Sequence, residues 1–221
     1  MRDARLVLFD LDGTLADTAP DLAAAANRQR TERGLPALPY EALRPLASHG
    51  ARGLIGRALG VGAEDASFAA LRAEFLDFYE QALCVHTRLF DGMAEALAAI
   101  EAADLRWGIV TNKPARYTDP LVERLGLAQR AAVVVSGDTT AHAKPHPEPI
   151  EFALVRCGVS APQALYVGDD LRDIEAGRAA RTRTVAVRYG YLGQGLPIED
   201  WGADSVIDHP GELMSLILAR G

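Results

Sequence analysis

Cysteine is scarce in this sequence, which has two cysteines, Cys84 and Cys157, among 221 residues. Two cysteines cannot build the disulfide framework that stabilises small secreted proteins. Both lie in segments with a helical pattern, so we interpret them as small core or surface residues. Long apolar runs are also missing, because none approaches the roughly 18–20 residues that cross a bilayer. The sequence therefore predicts neither a disulfide nor a membrane-spanning helix.

A basic surface is missing as well. The formal net charge is −7 at pH 7 and no basic stripe is present, which argues against a nucleic-acid partner. Asp10 and Asp12 interrupt the N-terminal stretch where the apolar segment of a secretory signal would lie. We therefore expect a cytoplasmic protein with no membrane partner. The sequence carries no signal for an oligomeric state.

Lysine is nearly absent. Of 23 lysines and arginines, Lys113 and Lys144 are the two lysines, and each precedes a proline. The lysine ammonium is a compact point charge, whereas the arginine guanidinium is a planar fork. A position that needs a small cation beside a phosphate or a carboxylate would select lysine. This distribution supports a special role for the two lysines.

A buried strand is predicted at the start of the chain. Residues 5–9 form an apolar run, which is typical of a strand inside a parallel sheet. The run leads into Asp10 and Asp12, and alternation along a strand sends both carboxylates to one face. Gly13 then allows the backbone to turn away sharply. Because open α/β sheets bind ligands at the carboxyl ends of their strands, this pair is a candidate for attack and proton transfer.

Strands and helices alternate from residue 105 onward, which indicates a doubly wound parallel sheet with right-handed crossovers. The pattern predicts strands at 105–110, 131–135, 164–167 and 183–187, and helices at 115–125, 147–157 and 171–180.

Residues 16–85 break this alternation, because they are rich in Ala, Leu and Arg and show no convincing strand. The predicted helices are 21–33, 40–46, 51–59 and 65–83. This stretch is too long for one crossover, so we expect a helical cap, residues 16–85, inserted after the first strand. Residues 1–15 and 86–221 then form the α/β core, with the cap as a lid over the carboxyl edge of the sheet.

Polar residues follow the predicted strands in an order that suits phosphate chemistry. Each residue alone has an ordinary structural explanation, such as helix capping or a solvated loop. Together, each at a strand end, they indicate one site. The set is Asp10, Asp12, Thr111, Asn112, Lys144, Asp169, Asp170 and Asp173.

The motifs at 9–20, 110–114 and 168–177, with Lys144 between the last two, resemble those of haloacid dehalogenase-type phosphatases. The resemblance covers essentially the whole chain and includes the small helical cap. More narrowly, the chain is similar to bacterial phosphoglycolate phosphatases. Segments 186–191 and 201–210 are similar to one branch of these, which includes N-acetylmuramic acid 6-phosphate phosphatases.

The resemblance implies a Mg²⁺-dependent phosphatase that forms an aspartyl-phosphate. Asp10 would attack phosphorus, and Asp12 would protonate the leaving alcohol and then deprotonate water. Mg²⁺ would lie on oxygens from Asp10, the Asp12 backbone carbonyl and Asp169. The resemblance also implies that Asp170 and Asp173 lie outside these metal ligands and orient them. It implies that Thr111, Asn112 and Lys144 bind the phosphoryl oxygens.

The expected substrate is a small phosphorylated metabolite, and specificity is expected to lie in the cap loop 48–53. Arg52 lies between Gly50 and Gly53 in that loop and is a candidate ligand for a substrate carboxylate. Both leading substrates, 2-phosphoglycolate and N-acetylmuramic acid 6-phosphate, carry such a carboxylate.

Other functions stay open at this point. A phosphosugar mutase would share the chemistry of Asp10 and Asp12 and differ in the cap. A signalling receiver also uses an acidic pair with Thr and Lys, but its acceptor lies on a middle strand and it has no such insert. A halide-releasing relative would not need the acid Asp12. A binding protein without activity would be expected to have lost a motif residue, and none is lost here.

Overall fold

The computed structural model describes residues 4–193 and 195–218. The strands are β1 (Leu6–Phe9), β2 (Ala16–Asp17), β3 (Arg88–Leu89), β4 (Arg106–Val110), β5 (Val134–Val135), β6 (Ala164–Gly168), β7 (Arg183–Val187) and β8 (Ser205–Ile207). The helices are α1 (Ala19–Thr31), α2 (Gly50–Leu59), α3 (Phe68–Gln81), α4 (Met93–Ala102), α5 (Ala115–Arg124), α6 (Glu148–Cys157), α7 (Leu171–Ala179) and α8 (Leu213–Leu218).

A six-stranded parallel sheet in the order β5-β4-β1-β6-β7-β8 forms the core. Strand β1 lies between β4 and β6, with Phe9 opposite Ile109 and Val167. Because these three strands run in the same direction, the residues that follow them emerge at one edge. The predicted doubly wound α/β fold is confirmed.

Helices cover both faces of the sheet, which explains why β1 is apolar throughout. Val7 and Phe9 pack into the larger core cluster, which continues into the cap at Phe75. Leu6 and Leu8 point to the other face and pack in a second cluster. This alternation is the period of a strand buried on both sides.

Helices α1, α2 and α3 lie between β2 and β3 along the chain, and they pack on one another. The two short strands pair antiparallel, with Asp17 opposite Arg88. Buried Asp21 accepts hydrogen bonds from the backbone N–H groups of Val85, His86 and Thr87, which ties the returning chain to α1. We propose that the β2–β3 pair joins the cap to the core, and the boundaries of 16–85 stay a prediction.

Two predicted elements differ most from the structure. The predicted helix 40–46 is replaced by two 3₁₀ helices, Tyr40–Ala42 and Arg44–His49, since Pro45 has no N–H to continue an α-helix. The predicted strand 131–135 is reduced to Val134–Val135, because Ala131 still belongs to the turn after α5 and donates its N–H to Leu127.

The helical assignment of Cys84 was wrong. Helix α3 ends at Gln81, and Cys84 lies in the following turn with a φ of 59°. A residue in the left-handed region cannot continue a right-handed helix. Cys157, in contrast, ends α6 as expected.

Several elements had no counterpart in the prediction, namely β2, β3, α4, β8 and α8. Among the described residues, none of the helices has the length and apolar character that crossing a membrane requires.

Candidate active site

The residues predicted at the strand ends line one cavity of about 360 Å³ between the sheet edge and the cap. Backbone pairing places them: Asp10 N–H donates to Val167 O at 2.9 Å, and Thr111 N–H donates to Val135 O at 2.9 Å. The cavity is lined by every predicted site residue: Asp10, Asp12, Arg52, Thr111, Asn112, Lys144, Asp169, Asp170 and Asp173.

Lys144 lies at the centre of the buried polar groups. Its Nζ donates to Asp10 Oδ1 at 2.8 Å, Asp173 Oδ1 at 2.7 Å and the Val110 carbonyl at 2.9 Å. The hydroxyl of Tyr166, which sequence reasoning did not identify, also lies 2.8 Å from Nζ. Burial by itself would lower the pKa of Lys144, but Asp10 and Asp173 outweigh it and hold that pKa well above its ordinary value. The ammonium therefore stays charged.

Asn112 fixes the backbone of Lys144. Its amide nitrogen donates to the Lys144 carbonyl at 2.9 Å, and its amide oxygen accepts from the Lys144 N–H at 2.9 Å. This two-point contact places the lysine relative to Asp10. The sequence had indicated Asn112 as a substrate ligand, and the structure gives its amide a positioning contact.

Three carboxylates crowd together at the cavity floor. Asp10, Asp169 and Asp173 each place an oxygen within 4.8 Å of the others. Burial, followed by the charges of Asp10 and Asp173, holds the pKa of Asp169 well above its ordinary value. Asp169 also accepts from the Thr14 hydroxyl at 3.0 Å and from the Tyr191 N–H at 2.8 Å. A buried, oxygen-only donor set of this kind fits a hard divalent cation such as Mg²⁺.

Gly13 is required by this crowding. Its φ is 90°, and a Cβ at this position would clash with Asp169 Oδ2. The glycine lets the turn after Asp12 pass close to the carboxylate.

Asp173 differs from Asp169, whose two oxygens accept from neutral donors, because one of its oxygens already pairs with the ammonium of Lys144. Oδ1 accepts from Lys144, and Oδ2 accepts from the Asp170 N–H at 3.1 Å. Asp170 in turn caps helix α7 by accepting from the Arg172 N–H at 3.0 Å. Burial raises the pKa of Asp173, and Lys144 opposes that effect. These contacts suit residues that orient the cluster from outside.

Asp12 faces the cap side of the cavity. Its Oδ1 accepts from Lys113 Nζ at 2.8 Å and from the Thr18 hydroxyl. Lys113 is 8% exposed and lies over the ring of Tyr79, 4.7 Å from the ring centroid. The motifs gave no role for Lys113, and the scarcity of lysine was the one signal for it.

Arg172 joins the acidic cluster to the cap. It binds Asp170 through two hydrogen bonds of 2.7 and 2.9 Å, and its Nη2 donates to the Ser48 carbonyl at 2.7 Å. No sequence signal distinguished this arginine from the others in an arginine-rich chain.

The cap supplies an apolar wall with two cationic side chains. Arg52 and Arg72 are exposed and line the cavity. Among the described residues, neither has a salt bridge. Arg52 lies in the first turn of α2, so the expected loop 48–53 is a junction between two helices. The cap contributes Leu22, Phe68, Phe75, Leu76 and Tyr79 to this wall, and Tyr117 of α5 in the core completes it.

Two hydroxyl groups at this wall have no hydrogen-bond partner among the described residues. These are Ser48 Oγ and Tyr79 Oη, and both atoms are buried. Burial raises the pKa of Tyr79 to about 12, so its hydroxyl is a donor at neutral pH. Buried polar groups are normally paired, so these two call for a partner.

A family model for haloacid dehalogenase-like hydrolases matches residues 7–187. The chain belongs to this hydrolase family. A predicted phosphoglycolate phosphatase from Haemophilus somnus has a crystal structure that matches with a TM-score of 0.86 and 28% identity, over 98% of this chain and 99% of that one.

The curated relatives are phosphatases. The N-acetylmuramic acid 6-phosphate phosphatase of Pseudomonas putida is 49% identical over 96% of each chain. The phosphoglycolate phosphatase of Xanthomonas campestris is 46% identical over 96% of each chain. These matches confirm the family and fold predicted from the motifs, and they place the chain among the phosphoric monoester hydrolases.

Proposed function

We propose that the enzyme hydrolyses a phosphorylated, carboxylate-bearing sugar through a phosphorylated Asp10. Asp10 attacks phosphorus while Asp12 protonates the departing alcohol. Asp12 then takes a proton from water, which attacks phosphorus, releases inorganic phosphate and restores Asp10. The observation that carries this proposal is the buried Asp10–Lys144 contact beside Asp12, at the floor of a cavity large enough for a sugar.

The surrounding residues hold the phosphoryl group and the attacking carboxylate. Lys144 binds one oxygen of Asp10 and fixes its direction. Thr111 is buried at the end of β4 and lines the cavity, so its hydroxyl is placed to bind a phosphoryl oxygen. Asn112 supports this arrangement by holding the backbone of Lys144. Preorganised donors of this kind stabilise the charge that develops on the transferring group.

The acidic cluster fits Mg²⁺, which when bound would neutralise charge on the phosphoryl oxygens. Asp10 and Asp169 would hold it with side-chain oxygens. Asp12 would contribute its backbone carbonyl, as the family resemblance implies. Asp173 and Asp170 would orient the site from outside through Lys144 and Arg172.

We expect activity to require Mg²⁺. Ca²⁺ should support little turnover. Ca²⁺ accepts more oxygens at longer distances and takes bidentate carboxylates, which would occupy both oxygens of Asp10. The measurement is phosphate release after chelation and re-addition of each ion. Both ions should raise the melting temperature of the native enzyme, because a ligand stabilises the state it binds. The Asp169→Asn variant should lose that rise, and full activity after exhaustive chelation would exclude the metal site.

The cap favours a sugar phosphate over 2-phosphoglycolate. The aromatic wall suits the apolar face of a ring, and the free hydroxyls of Ser48 and Tyr79 suit its polar groups. A glycolate ester would reach few of these groups. The relatives named for N-acetylmuramic acid 6-phosphate support the same choice. Phosphate release from both compounds tests it, and a higher kcat/KM for 2-phosphoglycolate would contradict it.

The Arg52→Ala variant tests whether the cap binds the carboxylate. We expect kcat/KM for N-acetylmuramic acid 6-phosphate to fall roughly ten- to a hundredfold, the worth of a charge-assisted contact of about 1.5–3 kcal/mol. N-acetylglucosamine 6-phosphate and para-nitrophenyl phosphate lack the carboxylate and should be nearly unaffected. Arg57→Ala is the matched control, because Arg57 is exposed on the same helix and does not line the cavity. Equal losses on all three substrates would assign Arg52 to cap packing instead.

A mutase would transfer phosphate between sugar positions instead of releasing it. The structural match to a putative β-phosphoglucomutase from Thermotoga maritima, at 23% identity, reflects the fold alone. Stoichiometric release of inorganic phosphate, with no stimulation by a sugar bisphosphate, is the result expected of a phosphatase.

A further inference from the structure

Lys113 is the second buried lysine of the cavity, and the proposed reaction gives it no task. Its Nζ donates to Asp12 Oδ1 at 2.8 Å, and Thr18 Oγ1 donates to the same oxygen. Asp12 Oδ2 receives no hydrogen bond from the described residues. One oxygen of this carboxylate is therefore fixed by two donors, and the other is left for the substrate.

The backbone of Lys113 is held from both sides. Its N–H donates to Thr111 Oγ1 at 3.2 Å, and its carbonyl accepts from the Gly137 N–H at 2.8 Å and from Thr118 Oγ1 at 3.0 Å. The side chain of Lys113 therefore starts from a fixed position at the end of β4, and its ammonium lies beside Asp12.

The cap holds the other side of the ammonium. Tyr79 of α3 is 1% exposed, and its ring face lies 4.7 Å from Lys113 Nζ. A cation over an aromatic face is attracted to it, and the attraction grows when both groups are desolvated. Burial by itself would lower the pKa of Lys113, but Asp12 and Tyr79 outweigh burial and hold it above its ordinary value. Lys113 thus stays charged between a core carboxylate and a cap ring.

We propose that Lys113 is a positioning residue for Asp12, an inference that rests on the proposed acid–base role of Asp12. By holding Oδ1, it directs Oδ2 to the ester oxygen. The Oδ2 proton moves to that oxygen as the bond from phosphorus to the ester oxygen breaks. In the second half, Oδ2 takes a proton from water as the bond from phosphorus to Asp10 breaks. Because Tyr79 belongs to the cap and contacts Lys113, this orientation of Asp12 depends on the cap being packed against the core.

Lys113→Met keeps most of the length of the side chain and removes its charge and its donors. We expect kcat for a sugar phosphate to fall roughly ten- to a hundredfold, a part of what a general acid contributes. Para-nitrophenyl phosphate should lose much less, because nitrophenolate leaves without protonation. Its continued turnover shows that the variant folds and keeps Asp10 and Lys144 in place. Lys113→Arg restores a donor and should recover part of the loss.

The Asp12→Asn background makes the test specific. If Lys113 acts through Asp12, Lys113→Met should cause no further loss there, because two changes in one unit are not additive. Arg116→Ala is the matched control, since Arg116 also pairs across the boundary between core and cap, with Glu80, but is exposed and outside the cavity. It should leave kcat unchanged.

The inference is overturned by equal losses on both substrates, or by losses that add to those of Asp12→Asn. A gain in kcat on the sugar phosphate would overturn it too, because Lys113 would then hold Asp12 away from the substrate. Failure of the underlying proposal looks different: Asp12→Asn itself would then damage both substrates equally.

Discussion

Asp10→Asn is expected to reduce kcat by several powers of ten and to leave the fold intact. An amide is a poor nucleophile, and removal of a covalent catalyst normally costs this much. Stability should be unchanged or higher, because the substitution removes one of the two neighbouring carboxylates, Asp10 and Asp173, that help to hold the pKa of Asp169 up. The amide oxygen keeps an acceptor for Lys144. Activity should therefore fall while the free energy of unfolding stays the same or rises.

Steady-state kinetics and urea unfolding of the same preparation check this result. Asp138→Asn is the matched control: Asp138 also lies close to a strand end but does not line the cavity, so its turnover should match the native enzyme. Retention of more than about one per cent of kcat in Asp10→Asn would exclude Asp10 as the nucleophile.

Lys144→Met should be the most destabilising of these substitutions and should also abolish turnover. It leaves Asp10 and Asp173 buried without the cation that pairs them, at 2.8 and 2.7 Å in the native protein. Breaking a buried ion pair by removing one partner costs about 3–5 kcal/mol. Removal of the donor to Asp10 also takes away charge stabilisation of the phosphoryl group.

Urea unfolding without divalent ions measures that loss. Added Mg²⁺ should recover part of it, because a cation again neutralises the cluster. The double variant Asp10→Asn, Lys144→Met should be less destabilised than the sum of the two changes predicts, since it leaves one charge fewer unpaired. A Lys144→Met protein as stable as the native one would show that these carboxylates are not paired as described.

The sheet and its catalytic edge were predictable because they depend on local pattern and on a general property of parallel strands. The apolar runs before Asp10, Thr111 and Asp169 predicted strands, and parallel strands bring their carboxyl ends together. The contacts of Lys144 with Asp10 and Asp173 follow from the same convergence. The order of the motifs was sufficient for this part of the site.

The contacts between the core and the cap could not be predicted in this way. Lys113 of the core lies over the ring of Tyr79 in the cap, and Arg172 and Ser48 are 124 positions apart. Such pairs depend on how the helices pack on the sheet. The spacing of residues along the chain does not show this packing. The hydrogen bond from the Tyr191 N–H to Asp169 could not be predicted either, because the residue type does not show which backbone N–H groups bind the site. The helical assignment of Cys84 failed because composition does not show where a left-handed residue ends a helix.

The stereochemical course at phosphorus tests most directly whether Asp10 is phosphorylated. A phosphorothioate analogue of the substrate, made chiral with two oxygen isotopes, is hydrolysed in water enriched in the third, and the configuration of the released thiophosphate is determined. Attack by Asp10 followed by attack by water makes two in-line displacements, so the account predicts net retention. Net inversion would mean that water attacks the substrate directly, and it would contradict a phosphorylated Asp10.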